Sequence, residues 1–264
     1  METNPTNVPA AGTARSARRV AVISDVHGNA VALAAVLEEL GSAADLVVFG
    51  GDLTWGSLPE ETRALVEQLP FPWVLVRGNG DRALIRSVAE LEAGVSAERT
   101  ERELWMARNH SPATVAVLAT AVEQTVVDVE GLGPVRFCHG SPRSDEECVT
   151  SETPADRVQA FSVGVDERVI VSAHTHVQFD RTVAGIRSVN PGSVGLPYEG
   201  RPGAYWALLG PDVEPRRTGY DVEDAARRYL ATDDPARELM AQLLRSPPTR
   251  SEAIADAEER VFAG

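Results

Sequence analysis

Five short segments of the chain carry residue types that bind divalent metal ions: Asp25-Val26-His27, Gly51-Asp52, Gly78-Asn79-Gly80-Asp81, His139-Gly140 and His174-Thr175-His176. The chain has 5 histidines, and four of them fall in these segments, each beside a glycine or close to another histidine. Asp25 and His27, like His174 and His176, are i, i+2 pairs, which in extended backbone project to one side. Two such pairs together with Asp52, Asn79 and His139 can ring two adjacent ions, with Asp52 as the shared carboxylate.

The elements that must deliver these residues can be read from hydrophobic patterning. Arg19 to Ser24, Leu46 to Phe49 and Trp73 to Val76 are short, β-branched, aliphatic runs of the kind found in strands buried on both faces. Asn29 to Leu40 and Pro59 to Leu69 lie between them and carry helical spacing. This β-α-β-α-β order predicts a parallel sheet with right-handed crossovers. Residues 82–123 read as a helical insertion. From Gln124 onward the pattern changes to strands separated by turn signals, and from Asp221 it becomes helical and strongly charged. Each candidate segment follows a predicted strand at its carboxyl end, where open α/β sheets bind ligands. A single Asp at such a place is ordinarily a cap or turn residue; five strand ends delivering ligand types to one rim are not.

Composition limits the chemistry. The 264 residues include no lysine, so the 25 basic residues are all arginine, against 39 acidic ones, for a net charge of -14. This excludes P-loop, Schiff-base and pyridoxal mechanisms, which need lysine. Two cysteines, Cys138 and Cys148, are too few for a four-thiolate zinc site or a disulfide framework. The acidic balance disfavours nucleic-acid polymers and anionic membranes as partners but leaves room for a small phosphoester at a local positive centre. No stretch approaches the ~20 apolar residues of a membrane span, and no export signal is evident, so the expected location is cytoplasmic.

The five segments, in this order, resemble the calcineurin-like metallophosphoesterase superfamily, with its D-x-H, G-D, G-N-H-D, His-Gly and G-H-x-H pattern. The resemblance runs from Val20 to about Leu209. Asn190-Pro191-Gly192-Ser193 is similar to the small prokaryotic phosphodiesterase branch. The resemblance implies an α/β fold, a two-sheet sandwich flanked by helices. It also implies two divalent metal ions, one held by Asp25, His27, Asp52 and His176, the other by Asp52, Asn79, His139 and His174. Mixed carboxylate, imidazole and amide ligation suits Mn, Fe, Zn or Ni better than Ca or Mg. Asp52 and Asn79 would also serve catalysis, in which a metal-bridging hydroxide attacks phosphorus in line. Two positions depart from the family: Ala173 replaces a glycine, and Gly80 stands where much of the superfamily has a histidine that assists the leaving oxygen.

The sequence therefore predicts a phosphoester hydrolase, with phosphodiesters bearing good leaving groups as the favoured substrates. A phosphomonoesterase is the alternative, as is a non-catalytic metal-binding scaffold of the same fold. Arg82 and Arg143 are candidate phosphate contacts, and Asn29 a third substrate contact. Each also has an ordinary reading, as an ion pair for the arginines and a helix N-cap for Asn29. His110 is expected at a helix end as a partner for the helix dipole. The expected organisation is a flexible leader at 1–18, a metallophosphoesterase domain at 19–220 and a helical extension at 221–264, with oligomerisation possible.

Overall fold

A computed structural model describes residues 15–95 and 98–260 of the chain. It contains two sheets packed face to face. One has strands β2 (Val20–Ile23), β3 (Leu46–Phe49), β4 (Trp73–Leu75), β10 (Ala204–Leu209) and β11 (Val213–Thr218), in the order β11-β10-β2-β3-β4. The other has β1 (Arg15–Ala17), β5 (Gln124–Val129), β6 (Gly133–Cys138), β7 (Val169–Val171), β8 (Phe179–Val183) and β9 (Ile186–Asn190), in the order β1-β5-β6-β7-β9-β8. Strands β2, β3 and β4 pair in parallel, as the β-α-β-α-β pattern requires.

The aliphatic runs are buried on both faces because each face has its own partner. Val20 and Val22 of β2 point between the sheets and meet Val127, Phe137 and Val171 of the second sheet. Ala21 and Ile23 point the other way, onto α1 (Ala30–Leu40), α2 (Pro59–Glu67), α3 (Asn79–Glu92), α4 (Glu101–Asn109) and α5 (Pro112–Leu118). Alternation along a strand makes this division automatic. The outer face of the second sheet is covered by α6 (Ala155–Phe161) through Val158 and Phe161. Helices α7 (Val222–Leu230), α8 (Arg237–Arg245) and α9 (Arg250–Glu259) complete the chain, with Tyr229, Met240 and Leu244 packed against Ala30 and Leu196. Among the described residues, no helix is long and apolar enough to cross a membrane.

Two expectations change, and one strand carries no signal in the sequence. Arg15–Ala17, assigned to a flexible leader, instead forms an edge strand parallel to β5; residues 1–14 lie outside the described residues. The helical insertion starts at Asn79 rather than 82, because Gly78 is its N-cap and Asp81, at the third helical position, accepts the Gly78 N–H. Strand β11 (VEPRRT) has no strand-like pattern because it is an edge strand, where proline and charge are tolerated.

One polar contact fixes the insertion to the first half of the domain. Glu60 of α2 accepts from the Ser111 N–H (2.9 Å), the Ser111 hydroxyl (2.7 Å) and the Thr114 hydroxyl (2.6 Å). Burial opposes its ionisation, but these donors outweigh burial and hold its pKa at about 2, below the ordinary 4.5. A depressed carboxyl stabilises the fold above the unfolded value and stops doing so as pH falls toward the folded one. Glu60→Gln should therefore lower the melting temperature at pH 7, with the difference from wild type shrinking at pH 3. A gap of the same size at both pH values would refute the ionised contact.

Candidate metal centre

The ligand segments are the places where the strands end and the hydrogen-bond ladder continues. Beyond β2 and β3, the N–H groups of Asp25, His27 and Gly28 donate to the carbonyls of Gly51, Asp52 and Leu53 at 3.0, 2.9 and 3.1 Å. Beyond β6 and β7, Ala173 N–H donates to His139 O at 2.6 Å. The loops thus stay in register as the strands did, which brings four strand ends to one rim.

The backbone at these positions is not extended. Asp25, His27, Asp52, His174 and His176 have φ of 50°, 48°, 50°, 66° and 58°, all left-handed. The i, i+2 pairs converge because both members turn sharply, and not because a strand projects them to one side. Each such residue costs about 1–2 kcal/mol relative to ordinary backbone, and non-glycine residues held this way concentrate at functional sites.

The side chains meet at contact distance. Asp25 Oδ1 lies 3.2 Å from His176 Nε2 and 3.9 Å from His27 Nε2. Asp52 Oδ2 lies 3.8 Å from both His27 Nε2 and His139 Nε2. Asn79 Oδ1 is 3.0 Å from His139 Nε2, and the His139 and His174 rings have centroids 5.1 Å apart. Asp25, His27 and His176 form one group able to hold an ion, and Asp25, Asp52 and His139 a second. All seven residues read from sequence as ligands are therefore brought together.

Backbone carbonyls orient the imidazoles. His27 Nδ1 donates to Trp55 O (3.1 Å), His139 Nδ1 to Gly50 O (2.8 Å) and His176 Nδ1 to Leu196 O (2.6 Å). A carbonyl can only accept, so each Nδ1 carries a proton, and whenever such a ring is neutral its Nε2 presents a bare lone pair. His27 Nε2 and His176 Nε2 face each other 3.1 Å apart. Asp25 Oδ1 is buried and lacks a hydrogen-bond partner. This donor set fits cations: an ion between these atoms turns mutual repulsion into ligation. Burial, then the neighbouring His176, lowers the His27 pKa to about 4; burial, then His139, does the same for His174. Both are neutral at physiological pH, as ligation requires. For His139 burial favours the neutral ring, but the Asp52 and Asp25 carboxylates prevail and raise its pKa.

Further groups brace the ligand loops. Asp81 accepts from the N–H groups of Asp52 (2.9 Å), Leu53 (3.1 Å) and Gly78 (3.0 Å), clamping the Asp52 loop to the start of α3. Burial and the adjacent Asp52 push its carboxyl up to about 7 against the pull of those donors. In the Asn190-Pro191-Gly192-Ser193 segment, Asn190 donates to Ala173 O (2.9 Å) and Thr175 Oγ1 (3.0 Å), and Ser193 Oγ donates to Asp25 O (2.7 Å). That segment holds both the His174-His176 loop and the Asp25 loop.

The expected substrate contacts are placed elsewhere. A cleft of about 480 Å³ opens over His27, Asp52, Asn79, His174 and His176, and neither Asn29, Arg82 nor Arg143 lines it. Asn29 is fully buried as the N-cap of α1, accepting from Ala32 N–H and donating to Gly195 O. Arg82 pairs with Asp145 and Glu146, and Arg143 with Glu147; both line a smaller crevice of about 260 Å³ that also reaches the candidate ligand His139. His110 does cap α4, with Nδ1 on Met106 O at 2.8 Å, but burial lowers its pKa, so it acts as a neutral hydrogen-bond donor and not as a cation. The cleft walls come instead from Trp55, Arg102, Tyr198, Met240, Leu243 and Arg260. Tyr198 stacks on His176 with centroids 4.6 Å apart. Sequence reasoning missed these wall residues because no local pattern joins the insertion and the tail to the strand ends.

Packing around Asp52 leaves no room at Gly78. A β-carbon there would sit 2.1 Å from Asp52 Oδ1 and 2.4 Å from Asp52 N. Gly78→Ala should weaken binding of Mn²⁺ by at least about tenfold in a calorimetric titration, the scale seen when ligand-orienting groups are lost. Gly219→Ala, where a β-carbon meets nothing within 4 Å, is the control. Equal affinities for the two variants would show that Asp52 is not held by this approach.

Comparison with known proteins agrees with this geometry. A metallophosphoesterase from Sphaerobacter thermophilus is 26% identical with a TM-score of 0.68, covering 86% of this chain and 99% of that one. A hypothetical protein from Pyrococcus horikoshii OT3, 20% identical with a TM-score of 0.74, covers 89% of this chain and 99% of its own, and shares the fold. No curated protein matches the chain. Residues 19–210 match the calcineurin-like phosphoesterase superfamily domain, a span that holds all five ligand segments, and the chain belongs to that superfamily.

Proposed function

We propose that this protein is a dinuclear-metal phosphoesterase that hydrolyses phosphodiesters with good leaving groups. The observation that carries the reading is the inward convergence of metal-donor atoms: three Nε2 atoms, each on a ring whose Nδ1 is fixed by a backbone carbonyl, facing the Asp25 and Asp52 carboxylates. Asp25, His27, Asp52 and His176 would hold one ion, and Asp52, Asn79, His139 and His174 the other. Bound there, divalent ions supply Lewis-acid polarisation of a phosphoryl oxygen and a nucleophile available at neutral pH.

The chain's own groups set what the site can and cannot do. Gly80 N–H donates to Asp52 Oδ1 at 2.8 Å and fixes the bridging carboxylate, but position 80 carries no imidazole to protonate a departing oxygen. A β-carbon at Gly80 would sit 2.9 Å from Asp52 Oδ1 and 3.2 Å from Trp55 Cβ, so Trp55 packs where a side chain would emerge. Without a proton donor the reaction favours leaving groups that depart as stable anions. General-acid assistance contributes ~10²–10⁴-fold where present. The apolar wall residues Trp55, Met240 and Leu243 suit an aromatic or otherwise apolar ester group. The net charge of -14 disfavours long polyanions.

Two measurements test this. In a screen of metals against substrates, bis(4-nitrophenyl) phosphate should be turned over with Mn²⁺, Fe²⁺, Zn²⁺ or Ni²⁺. Asp52→Asn should then reduce kcat by about 10²–10³-fold, as loss of a principal electrostatic group does, and should lower metal content. Aryl phosphodiesters should also react far faster than alkyl ones; equal rates would contradict the absence of leaving-group protonation.

A further inference from the structure

The cleft over the ligand cluster carries a fixed cation that the ligand set does not account for. Arg102 enters from α4 of the helical insertion, and its side chain is 22% exposed. Its Nε and one terminal nitrogen bond Asp234 at 3.2 Å each. Asp234 comes from the loop between α7 and α8, is fully buried, and also accepts from the Ser57 hydroxyl and the Ala236 N–H, both at 2.8 Å. A carboxylate with four donors cannot swing away, so it holds the guanidinium in one orientation. The Asp234 contact uses the side-on edge of the guanidinium. The end-on edge, formed by the two terminal nitrogens, keeps donors of its own.

The neighbouring charges leave this edge as the built anion contact of the cleft. Arg260 also lines the cleft, but it pairs with Asp256 on the surface, both side chains being more than half exposed. Glu103 lines the cleft too, but its carboxylate closes a capping box, accepting from the Thr100 N–H at 2.7 Å and the Thr100 hydroxyl at 2.9 Å.

We propose that Arg102, positioned by Asp234, binds a second anionic group of the substrate, a carboxylate or phosphate carried on the ester group distal to the phosphorus. Resting on the phosphoester reading for the proximal end, this makes the favoured substrate a small dianion bridged by an apolar or aromatic spacer. A planar fork matches carboxylate and phosphate geometry, and the apolar walls between Trp55 and Leu243 suit the spacer.

The test measures binding, so that it stands apart from turnover. Non-hydrolysable phenylphosphonate is compared with 3- and 4-carboxyphenylphosphonate by calorimetry on the Mn²⁺-loaded full-length protein. At least one carboxylated ligand should bind about tenfold tighter than phenylphosphonate, the scale of one charge-assisted contact. The ratio should fall to about one in Arg102→Met. The double variant Arg102→Met/Asp234→Asn, which avoids a lone buried carboxylate, should show the same loss. Equal affinities in the wild type, no binding of any of the three, or a preference that survives either variant would overturn the inference. The expected pattern in a protein that turns over no phosphoester would remove the proposed function and leave the subsite. Turnover without the preference would do the reverse.

Discussion

Metal-donor atoms crowded against one another in a buried rim are the constraint on which this structure depends. His27 and His176 place two imidazole nitrogens 3.1 Å apart, each ring holding its other nitrogen on a carbonyl on the opposite side. Two carboxylates lie within 4 Å of these nitrogens. In a buried setting such an arrangement is unfavourable unless cations compensate it. The fold therefore works against a local electrostatic penalty, and the features around the site are those needed to hold it.

Those features are mostly backbone. Five ligand residues sit at left-handed φ, a conformation that aspartate and histidine adopt only when neighbouring structure enforces it. Enforcement comes from the ladder that continues from β2 to β3 past their ends, and from Asn190 and Ser193, which tie the second sheet's loop to Asp25. Asp81 has the same part for Asp52, through three backbone donors. The sequence shows Asp81 in a motif that lacks its usual histidine, and so without an evident partner. In the structure it is a clamp, and its position is explained without any catalytic role.

What the sequence made legible divides along physical lines. The convergence of Asp25, His27, Asp52, Asn79, His139, His174 and His176 was readable because five strand ends repeated the residue types that metal coordination demands. The parallel core was readable from VAVI and LVVF, continuous apolar runs that only a two-sided burial explains. The i, i+2 geometry was misread because chain spacing carries no sign of φ. Asn29, Arg82 and Arg143 lie outside the main cleft because closeness in sequence to a ligand says nothing about which way a side chain turns; the two arginines line the smaller crevice beside His139. In each case the ordinary role, a cap or an ion pair, was the one adopted. The cleft walls were invisible for another reason: they join residues from the insertion, the loop before α2 and the tail, and no periodicity spans those separations.

The tail also bears on the metal-ligand floor itself. Tyr229 of α7 is buried and donates its hydroxyl to the carbonyl of His27 at 3.3 Å. That carbonyl is closely enclosed, since a β-carbon on Gly56 would lie 1.6 Å from it. A buried carbonyl needs a donor, and leaving one unpaired costs about 1–3 kcal/mol. The tail thus satisfies a backbone group of a candidate ligand residue while its later helices wall the cleft. Changes in α7 that seem remote from the chemistry would act through His27. The left-handed turn at His27 has little tolerance, because its side chain must keep Nδ1 on Trp55 while Nε2 faces Asp52. The contact that braces the His27 loop and the residues that wall the cleft therefore belong to the same stretch of chain, although they lie in different parts of the fold.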